Sequence, residues 1–187
     1  KMSRRGFLGG LAAGAAFAVV PRHAVAGSDR KPPSEKLNIA AVGVGGMGSY
    51  NLRMLKGENI VALCDVDEKY AAKSFKKFPG ARKWKDFRKM LDQQDEIEAV
   101  LVATPDHTHA VITAAAMKHG KHVYTQKPLT HNVWEARKLR ELADRTGVVT
   151  QMGNQGHSTD GTRTVWEWVR DGAIGPIREV HCWTFEP

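Results

Sequence analysis

Cysteine is scarce in this sequence. Its 187 residues contain only Cys64 and Cys182, which excludes a fold held together by a framework of disulfides. Cys64 ends an apolar run, and Cys182 lies in a predicted strand near the C-terminus. The spacing would allow one disulfide in an oxidising compartment but does not require it, and we expect two buried structural thiols.

Acidic residues are missing from the first 26 positions, which contain four of the 28 basic residues. Without this segment the formal net charge falls from +8 to +4, and the sequence has no basic patch interleaved with aromatic residues. We therefore expect no nucleic-acid partner. We also expect no metal site, because His107 and His109 at a helix start would lie about 200° apart around its axis.

The N-terminus has the features of an export signal. Residues 3–8, SRRGFL, resemble a twin-arginine motif, and a Gly/Ala-rich apolar run follows over residues 7–20. Ala24-Val25-Ala26 matches an A-x-A cleavage site, and the apolar run is too short to cross a bilayer of about 30 Å. We predict a signal peptide over residues 1–26, recognised by the twin-arginine export machinery and cleaved after Ala26 in a periplasmic protein. An uncleaved membrane anchor is the alternative.

A glycine-rich turn follows the first apolar run of the predicted domain. Within AVGVGGMGS (residues 41–49), Gly43, Gly45 and Gly48 have the spacing G-x-G-x-x-G. The first glycine allows a sharp turn out of a strand, the second a close approach of a pyrophosphate, and the third close packing of the next helix. That helix would direct its N–H groups at the phosphates. By itself the motif also fits a simple tight connection. The predicted cofactor-binding residues of the turn are Gly43, Gly45, Gly46, Met47 and Gly48.

A second apolar run, residues 60–64, ends at Asp65. An acidic residue about 20 positions beyond the glycines binds the two ribose hydroxyls of an adenosine. Its carboxylate would repel the additional phosphate of NADP. The sequence therefore predicts a dinucleotide site that prefers NAD to NADP.

Apolar runs alternate with helix-compatible stretches along residues 37–153, joined by short connections. This alternation predicts an α/β Rossmann domain with a doubly wound parallel sheet and ligands at the carboxyl ends of the strands. The polar residues 27–36 are interpreted as a linker, and the charged residues 82–89 as a solvated surface.

The pattern changes at residue 154. An amphipathic helix is predicted over residues 159–171 and a strand over residues 177–185. Because a lone strand at a chain end is not a stable unit, we interpret residues 154–187 as the crossover helix and first strand of a second, α+β open-sheet domain.

Two segments carry a family resemblance: TPDHTHA at residues 104–110 and GKHVYTQKPL at residues 120–129. Together with the glycine turn and Asp65, they resemble the Gfo/Idh/MocA (glucose–fructose oxidoreductase/inositol dehydrogenase) family. The resemblance implies a two-domain, NAD(P)-dependent oxidoreductase that acts on one hydroxyl of a sugar, cyclitol or related polyol. It also implies homo-oligomers formed through the second domain, and a catalytic Asp/His pair beyond Pro187.

The resemblance assigns roles to individual residues. Lys127 takes the place of the lysine in Glu-Lys-Pro, which contacts the reacting hydroxyl and aids proton transfer, and the bond before Pro128 is expected to be cis. His109 is the histidine near the cofactor and the second predicted catalytic residue. The remaining predicted cofactor contacts of these two segments are Thr104, Pro105 and Gln126, besides His109 and Lys127 themselves.

Gln126 departs from the family pattern, which has glutamate there. Glutamine keeps a hydrogen-bonding amide but removes a negative charge next to Lys127, so we expect the amine to lose its proton more readily. The departure also puts simple dehydrogenase activity in question.

The segment GNQGHS (residues 153–158) follows a predicted strand end that should face the cofactor. Asn154 and Gln155 are predicted cofactor contacts, and His157 a substrate contact beside Lys127. A polar loop that only caps the helix at Thr159 is the alternative.

Export distinguishes the functional hypotheses. A protein folded before export would carry its NAD with it and recycle the cofactor in place. Sugar or polyol oxidoreduction with tightly bound NAD is the main prediction. One alternative is a NAD-assisted glycoside hydrolase, in which transient oxidation permits elimination and water addition. The other is a non-catalytic sugar- or nucleotide-binding protein on the same fold.

Overall fold

The computed structural model describes residues 35–183, in which six strands alternate with six α-helices. The strands are β1 (Asn38–Val42), β2 (Asn59–Cys64), β3 (Arg82–Trp84), β4 (Ala99–Val102), β5 (His122–Gln126) and β6 (Thr150–Gly153). The helices are α1 (Gly46–Met54), α2 (Glu68–Lys77), α3 (Phe87–Gln93), α4 (His109–Lys118), α5 (Val133–Thr146) and α6 (Asp160–Arg170). Short 3₁₀ turns, Asp106–Thr108 and Gln155–Ser158, come shortly before α4 and α6. The predicted signal peptide and most of the predicted linker lie outside the described residues.

The strands form one sheet in the order β3-β2-β1-β4-β5-β6, and every neighbouring pair is parallel. The predicted doubly wound sheet is confirmed. From β1 the chain first adds β2 and β3 on one side, and then adds β4, β5 and β6 on the other side. The order of the strands therefore reverses between β1 and β4. In open α/β sheets, ligands bind at the carboxyl ends of the strands beside this point.

Side chains of the central strands alternate between two cores because successive residues of a strand point to opposite faces. Ala41 pairs with Leu63 and Leu101, and these three side chains lie in the core on one face. The neighbouring residue Ala40 pairs with Val100, and both lie in the core on the other face. Apolar residues on both faces explain why these strands read as continuous apolar runs.

The helix ends follow local sequence signals. Asp67 precedes α2, and its side chain accepts hydrogen bonds from the N–H groups of Lys69 and Tyr70. Asn132 caps α5 through the N–H of Glu135, and Gly147 ends that helix with a left-handed φ of +67°. Each cap satisfies backbone groups that the helix itself leaves unpaired.

One strand was missed, and two local predictions were wrong. Residues 82–84 form β3, which pairs with β2 at the sheet edge, while Arg82 and Lys83 are exposed, as the predicted solvated surface requires. Residues 177–183 form no strand, because no other described segment pairs with them, and residues 184–187 lie outside the described part. Cys182 is therefore exposed, whereas Cys64 is buried as predicted. Within residues 35–183, no helix has the length and apolar character needed to cross a membrane.

Candidate functional site

A cavity of about 710 Å³ opens at the carboxyl ends of β1, β2 and β4. It lies where the direction of the chain across the sheet reverses, as expected for a ligand site of this fold. The predicted residues that line it are Gly43, Gly45, Gly46, Met47, Asp65, Thr104 and Pro105. The structure thus brings three separate sequence motifs to one cavity.

The glycine turn needs glycine at its first and third positions for packing within the chain. Gly43 has a φ of +78°, and a β-carbon there would lie 2.5 Å from the carbonyl oxygen of Ala103. A β-carbon at Gly48 would collide with the carbonyl oxygen of Gly43. Both obstacles are backbone atoms, so a side chain at either position would force the strand, turn and helix apart.

The second glycine faces a side chain. A β-carbon at Gly45 would collide with the ring of Tyr70, and one at Gly46 would lie 2.5 Å from the Tyr70 hydroxyl oxygen. Tyr70 belongs to the first turn of α2, lines the cavity and is 64% exposed. The sequence reasoning missed Tyr70 because α2 looked like an ordinary charged amphipathic helix. The signal that could have found it is its place three residues after the cap Asp67, in the first turn beyond Asp65.

The N-terminus of α1 fits an anion. Gly45 occupies the cap position without a side-chain hydrogen bond, and the first turn contains no acidic residue. N–H groups at a helix start carry partial positive charge and bind phosphate well. With no β-carbon at Gly45 or Gly46, the turn offers these donors to the pyrophosphate of a dinucleotide, so the residues present fit NAD.

Asp65 is held in place by the backbone. One carboxylate oxygen accepts a hydrogen bond from the Val44 N–H at 2.8 Å, and the other from the Asp67 N–H at 3.0 Å. The first bond ties the carboxylate to the glycine turn, so the predicted ribose-binding group and the predicted phosphate-binding turn are one unit. Each oxygen retains a further lone pair for a ribose hydroxyl.

The Cys64 thiol lines the same cavity but has no nucleophilic character. Burial, with the negative charges of Asp65 and Asp86 adding to it, raises the pKa of Cys64 to about 12. The thiol is therefore protonated at neutral pH. Residues 35–183 contain no group of three or more His, Cys, Asp or Glu side chains that could hold a metal ion.

His109 is buried, with 1% of its surface exposed, and does not line the cavity. Its Nδ1 lies 2.6 Å from the carbonyl oxygen of Pro128, and its Nε2 lies 2.8 Å from that of Thr104. Both ring nitrogens are thus engaged by backbone. His109 was predicted to lie near the cofactor. Its connection to the cavity is its contact with Thr104, which lines the cavity.

Lys127 and Pro128 follow β5, and the bond between them is cis. The Lys127 side chain is exposed. Gln126 is 4% exposed, and its Oε1 accepts a hydrogen bond from the Lys127 N–H at 3.2 Å. Its Nε2 has no hydrogen-bond partner among the described residues. A buried amide donor without a partner is costly, which is consistent with a polar ligand beside Lys127.

The third group of predicted residues lies at the neighbouring strand end. Gln126 of β5 pairs with Gly153 of β6, so the segment after β6 begins beside the Lys127 turn. Asn154, Gln155 and His157 are exposed there. None of the three lines the cavity at β1, β2 and β4, and their assigned contacts stay predictions.

Comparison with known proteins gives a family match. The sequence profile of the Gfo/Idh/MocA family, described as an oxidoreductase family with an NAD-binding Rossmann fold, matches residues 37–154. Inositol 2-dehydrogenase of Rubrobacter xylanophilus is 32% identical over 147 residues, which are 76% of this chain and 42% of that protein. Levoglucosan dehydrogenase of Pseudarthrobacter phenanthrenivorans is 28% identical over 115 residues, which are 62% of this chain and 29% of that protein. The chain thus spans less than half the length of these relatives.

Solved structures share the fold. Myo-inositol 2-dehydrogenase of Lactobacillus plantarum superposes with a TM-score of 0.70 at 24% identity, covering 76% of this chain and 43% of that one. Scyllo-inositol dehydrogenase of Lactobacillus casei, solved with NAD(H) and scyllo-inositol, gives a TM-score of 0.67 at 22% identity, with 75% and 43% covered.

Proposed function

The chain belongs to the Gfo/Idh/MocA family of NAD-binding Rossmann-fold oxidoreductases, and we propose that it contributes the NAD-binding half of a cyclitol, sugar or polyol dehydrogenase. The observation that carries this proposal is the joining of Asp65 to the glycine turn through the Val44 N–H. It supports the proposal because the carboxylate that we expect to bind the ribose and an uncapped helix start then border one cavity, as a dinucleotide requires.

The geometry and the family resemblance together support a division of labour among these residues. When bound, NAD supplies the hydride acceptor, and the other tasks fall to the chain's own residues. The α1 N-terminus binds the pyrophosphate, and Asp65 orients the adenosine ribose. The exposed amine of Lys127 accepts the proton of the substrate hydroxyl at the neighbouring strand end. Gln126, with a buried donor unused, positions a polar group beside that amine.

The substrate class follows from the relatives. The related proteins named above act on inositols and on levoglucosan by name, and all of these are polyhydroxylated rings. We therefore infer that a ring with several hydroxyls is oxidised at one carbon. Myo-inositol, scyllo-inositol and levoglucosan are the first substrates to assay.

The test begins with the full-length protein purified without added nucleotide. If the cofactor is retained, denaturation should release about one NAD(H) per chain, and mass spectrometry of the supernatant would detect it. Lys127→Ala should lose polyol oxidation and keep most of the NAD affinity, because Asp65 and the α1 N-terminus are unchanged, whereas the matched control Lys89→Ala, an exposed lysine of α3, should retain both. A protein that neither contains nor binds NAD contradicts the proposal and favours the non-catalytic alternative.

Retention of NAD is linked to the proposed export. The motif at residues 3–8 supports export of a folded protein through the twin-arginine machinery and cleavage after Ala26. Cell fractionation and N-terminal sequencing test this, and light scattering tests the proposed homo-oligomer. If NAD is retained, aryl glycosides should be assayed beside the polyols. Glycoside cleavage without net NADH formation would favour the NAD-assisted hydrolase over the dehydrogenase.

A further inference from the structure

The ring of Tyr70 lies against the glycine turn, in front of Gly45 and Gly46. A β-carbon at Gly45 would collide with carbon atoms of the ring, and one at Gly46 would lie 2.5 Å from the hydroxyl oxygen. The ring therefore fills the space that these two residues leave open by having no side chain. Tyr70 also lines the cavity at the carboxyl ends of β1, β2 and β4.

A dinucleotide needs the same space. The second glycine of a G-x-G-x-x-G turn allows the backbone to approach the pyrophosphate, because no β-carbon stands in the way. At Gly45, the position of that missing β-carbon is taken by the Tyr70 ring. Two groups cannot occupy one volume, so the ring in this position and a pyrophosphate in contact with Gly45 exclude each other.

The backbone of Tyr70 is held in place, so the side chain is the part that can move. The Tyr70 N–H donates a hydrogen bond to the Asp67 carboxylate at 2.9 Å, and the Asp67 N–H donates one to the Asp65 carboxylate at 3.0 Å. These bonds fix the start of α2 relative to the carboxylate that we expect to bind the ribose. The Tyr70 side chain is mostly exposed, and exposed side chains change rotamer within picoseconds to nanoseconds.

We propose that Tyr70 controls access to the pyrophosphate-binding part of the cavity: its ring covers Gly45 and Gly46, and it rotates away when a dinucleotide binds. The ligand then has to replace the contacts between the ring and the turn, so Tyr70 lowers the affinity of the site for NAD. Tyr70 thus determines affinity and takes no part in the chemistry. This role rests on the dinucleotide site proposed above.

Three variants of the full-length protein separate the ring from the hydroxyl. Tyr70→Ala removes the ring and should bind NAD roughly tenfold more tightly, because the ligand no longer has to displace buried contact area. Tyr70→Phe retains the ring and should bind NAD as the wild type does. The matched control is Tyr50→Ala, which removes an exposed tyrosine of α1 that does not line the cavity. It should also leave the NAD affinity unchanged.

The choice of ligand identifies the part of the dinucleotide that competes with the ring. Titration calorimetry with NAD, ADP and adenosine needs no substrate, and only NAD and ADP contain a pyrophosphate. Tyr70→Ala should strengthen the binding of NAD and ADP by a similar factor and leave the binding of adenosine unchanged. A gain for adenosine as large as the gain for ADP would overturn the proposal, since the ring would then cover the nucleoside part of the site.

The opposite sign of the effect would also overturn the proposal. Weaker NAD binding by Tyr70→Ala, in a variant that circular dichroism shows to be folded, would make the ring a contact of the bound cofactor. Weaker binding by Tyr70→Phe would assign the hydroxyl a hydrogen bond to the phosphates. Equal affinities of Tyr70→Ala and the wild type would mean that the ring and the ligand do not compete. A wild-type protein that binds neither NAD nor ADP contradicts the dinucleotide site itself, and with it the role of Tyr70.

Discussion

Gly45→Ala should separate cofactor binding from folding. Gly45 has a φ of −83° and a ψ of −178°, an extended backbone that alanine adopts without strain. The new methyl group would meet the Tyr70 ring. That ring belongs to an exposed side chain that can rotate, unlike the backbone atoms that a β-carbon at Gly43 or Gly48 would meet.

Gly45→Ala should lower the stability of the fold less than it lowers the affinity for NAD. About a third of the surface of Tyr70 is buried, so displacing its ring removes contact area worth about 1–2 kcal/mol of the free energy of unfolding. Gly43→Ala should cost more, about 3 kcal/mol or above, because strain at a φ of +78° is added to a backbone collision. For NAD, the Gly45 methyl occupies the approach of the pyrophosphate. We expect at least a hundredfold loss of affinity, about 2.7 kcal/mol.

A double-mutant cycle with Tyr70→Ala makes the test specific. Without the ring, Gly45→Ala should no longer lower the free energy of unfolding, while the loss of NAD affinity should persist. Urea denaturation without nucleotide gives the first quantity, because bound NAD would itself stabilise the fold. Titration calorimetry gives the second. Recovery of NAD affinity in the double variant would refute the reasoning, since the displaced ring and not the methyl would then have blocked the cofactor.

Three further predictions concern single residues. Asp65→Ser should weaken NAD binding about tenfold or more and reduce the preference for NAD over NADP, because the ribose-binding carboxylate and its charge are both lost. An unchanged ratio of the dissociation constants of NAD and NADP contradicts the assignment. In native protein at pH 8, a thiol reagent should modify Cys182 and not Cys64, because Cys64 is buried and its pKa is raised to about 12. Cys64 should react only after unfolding. Rapid modification of both thiols would show that Cys64 is accessible. Gln126→Glu should move the limb of the pH–rate profile that reports Lys127 to higher pH, because a neighbouring carboxylate favours the protonated amine; an unmoved limb means that position 126 does not tune Lys127.

The parallel sheet was predictable because its central strands are apolar on both faces. Ala40 and Ala41 belong to different cores, so β1 is a continuous apolar run between turn signals, and the same holds for β4. The Asp67, Asn132 and Gly147 caps also follow from short-range chemistry. The cavity was predictable for a topological reason, since parallel strands place their carboxyl ends at one edge.

What the sequence could not predict depends on contacts between distant residues. β3 has the charged sequence Arg82-Lys83-Trp84 and is a strand only because β2 offers it an open edge. The segment at residues 177–183 is richer in β-branched and aromatic residues, yet it has no pairing partner in the described part and forms no strand. Strand propensity is a weak guide wherever pairing decides the outcome. The contact of Tyr70 with the glycine turn likewise becomes visible only when α2 packs beside α1.

A motif thus predicts which residues meet more reliably than it predicts what each one does. The Thr104–Ala110 and Gln126–Pro128 segments were both expected to contribute cofactor contacts, and the ring of His109 lies between the carbonyl oxygens of Thr104 and Pro128. Both ring nitrogens of His109 lie within 2.8 Å of backbone carbonyl oxygens, which composition and spacing could not reveal. Asp65 shows the opposite case, because its bonds to Val44 and Asp67 fix the carboxylate and still leave it lone pairs for a ligand. A carboxylate engaged by backbone donors remains able to bind a ribose, whereas the two carbonyl contacts of His109 do not decide its role, and the catalytic assignment stays a prediction.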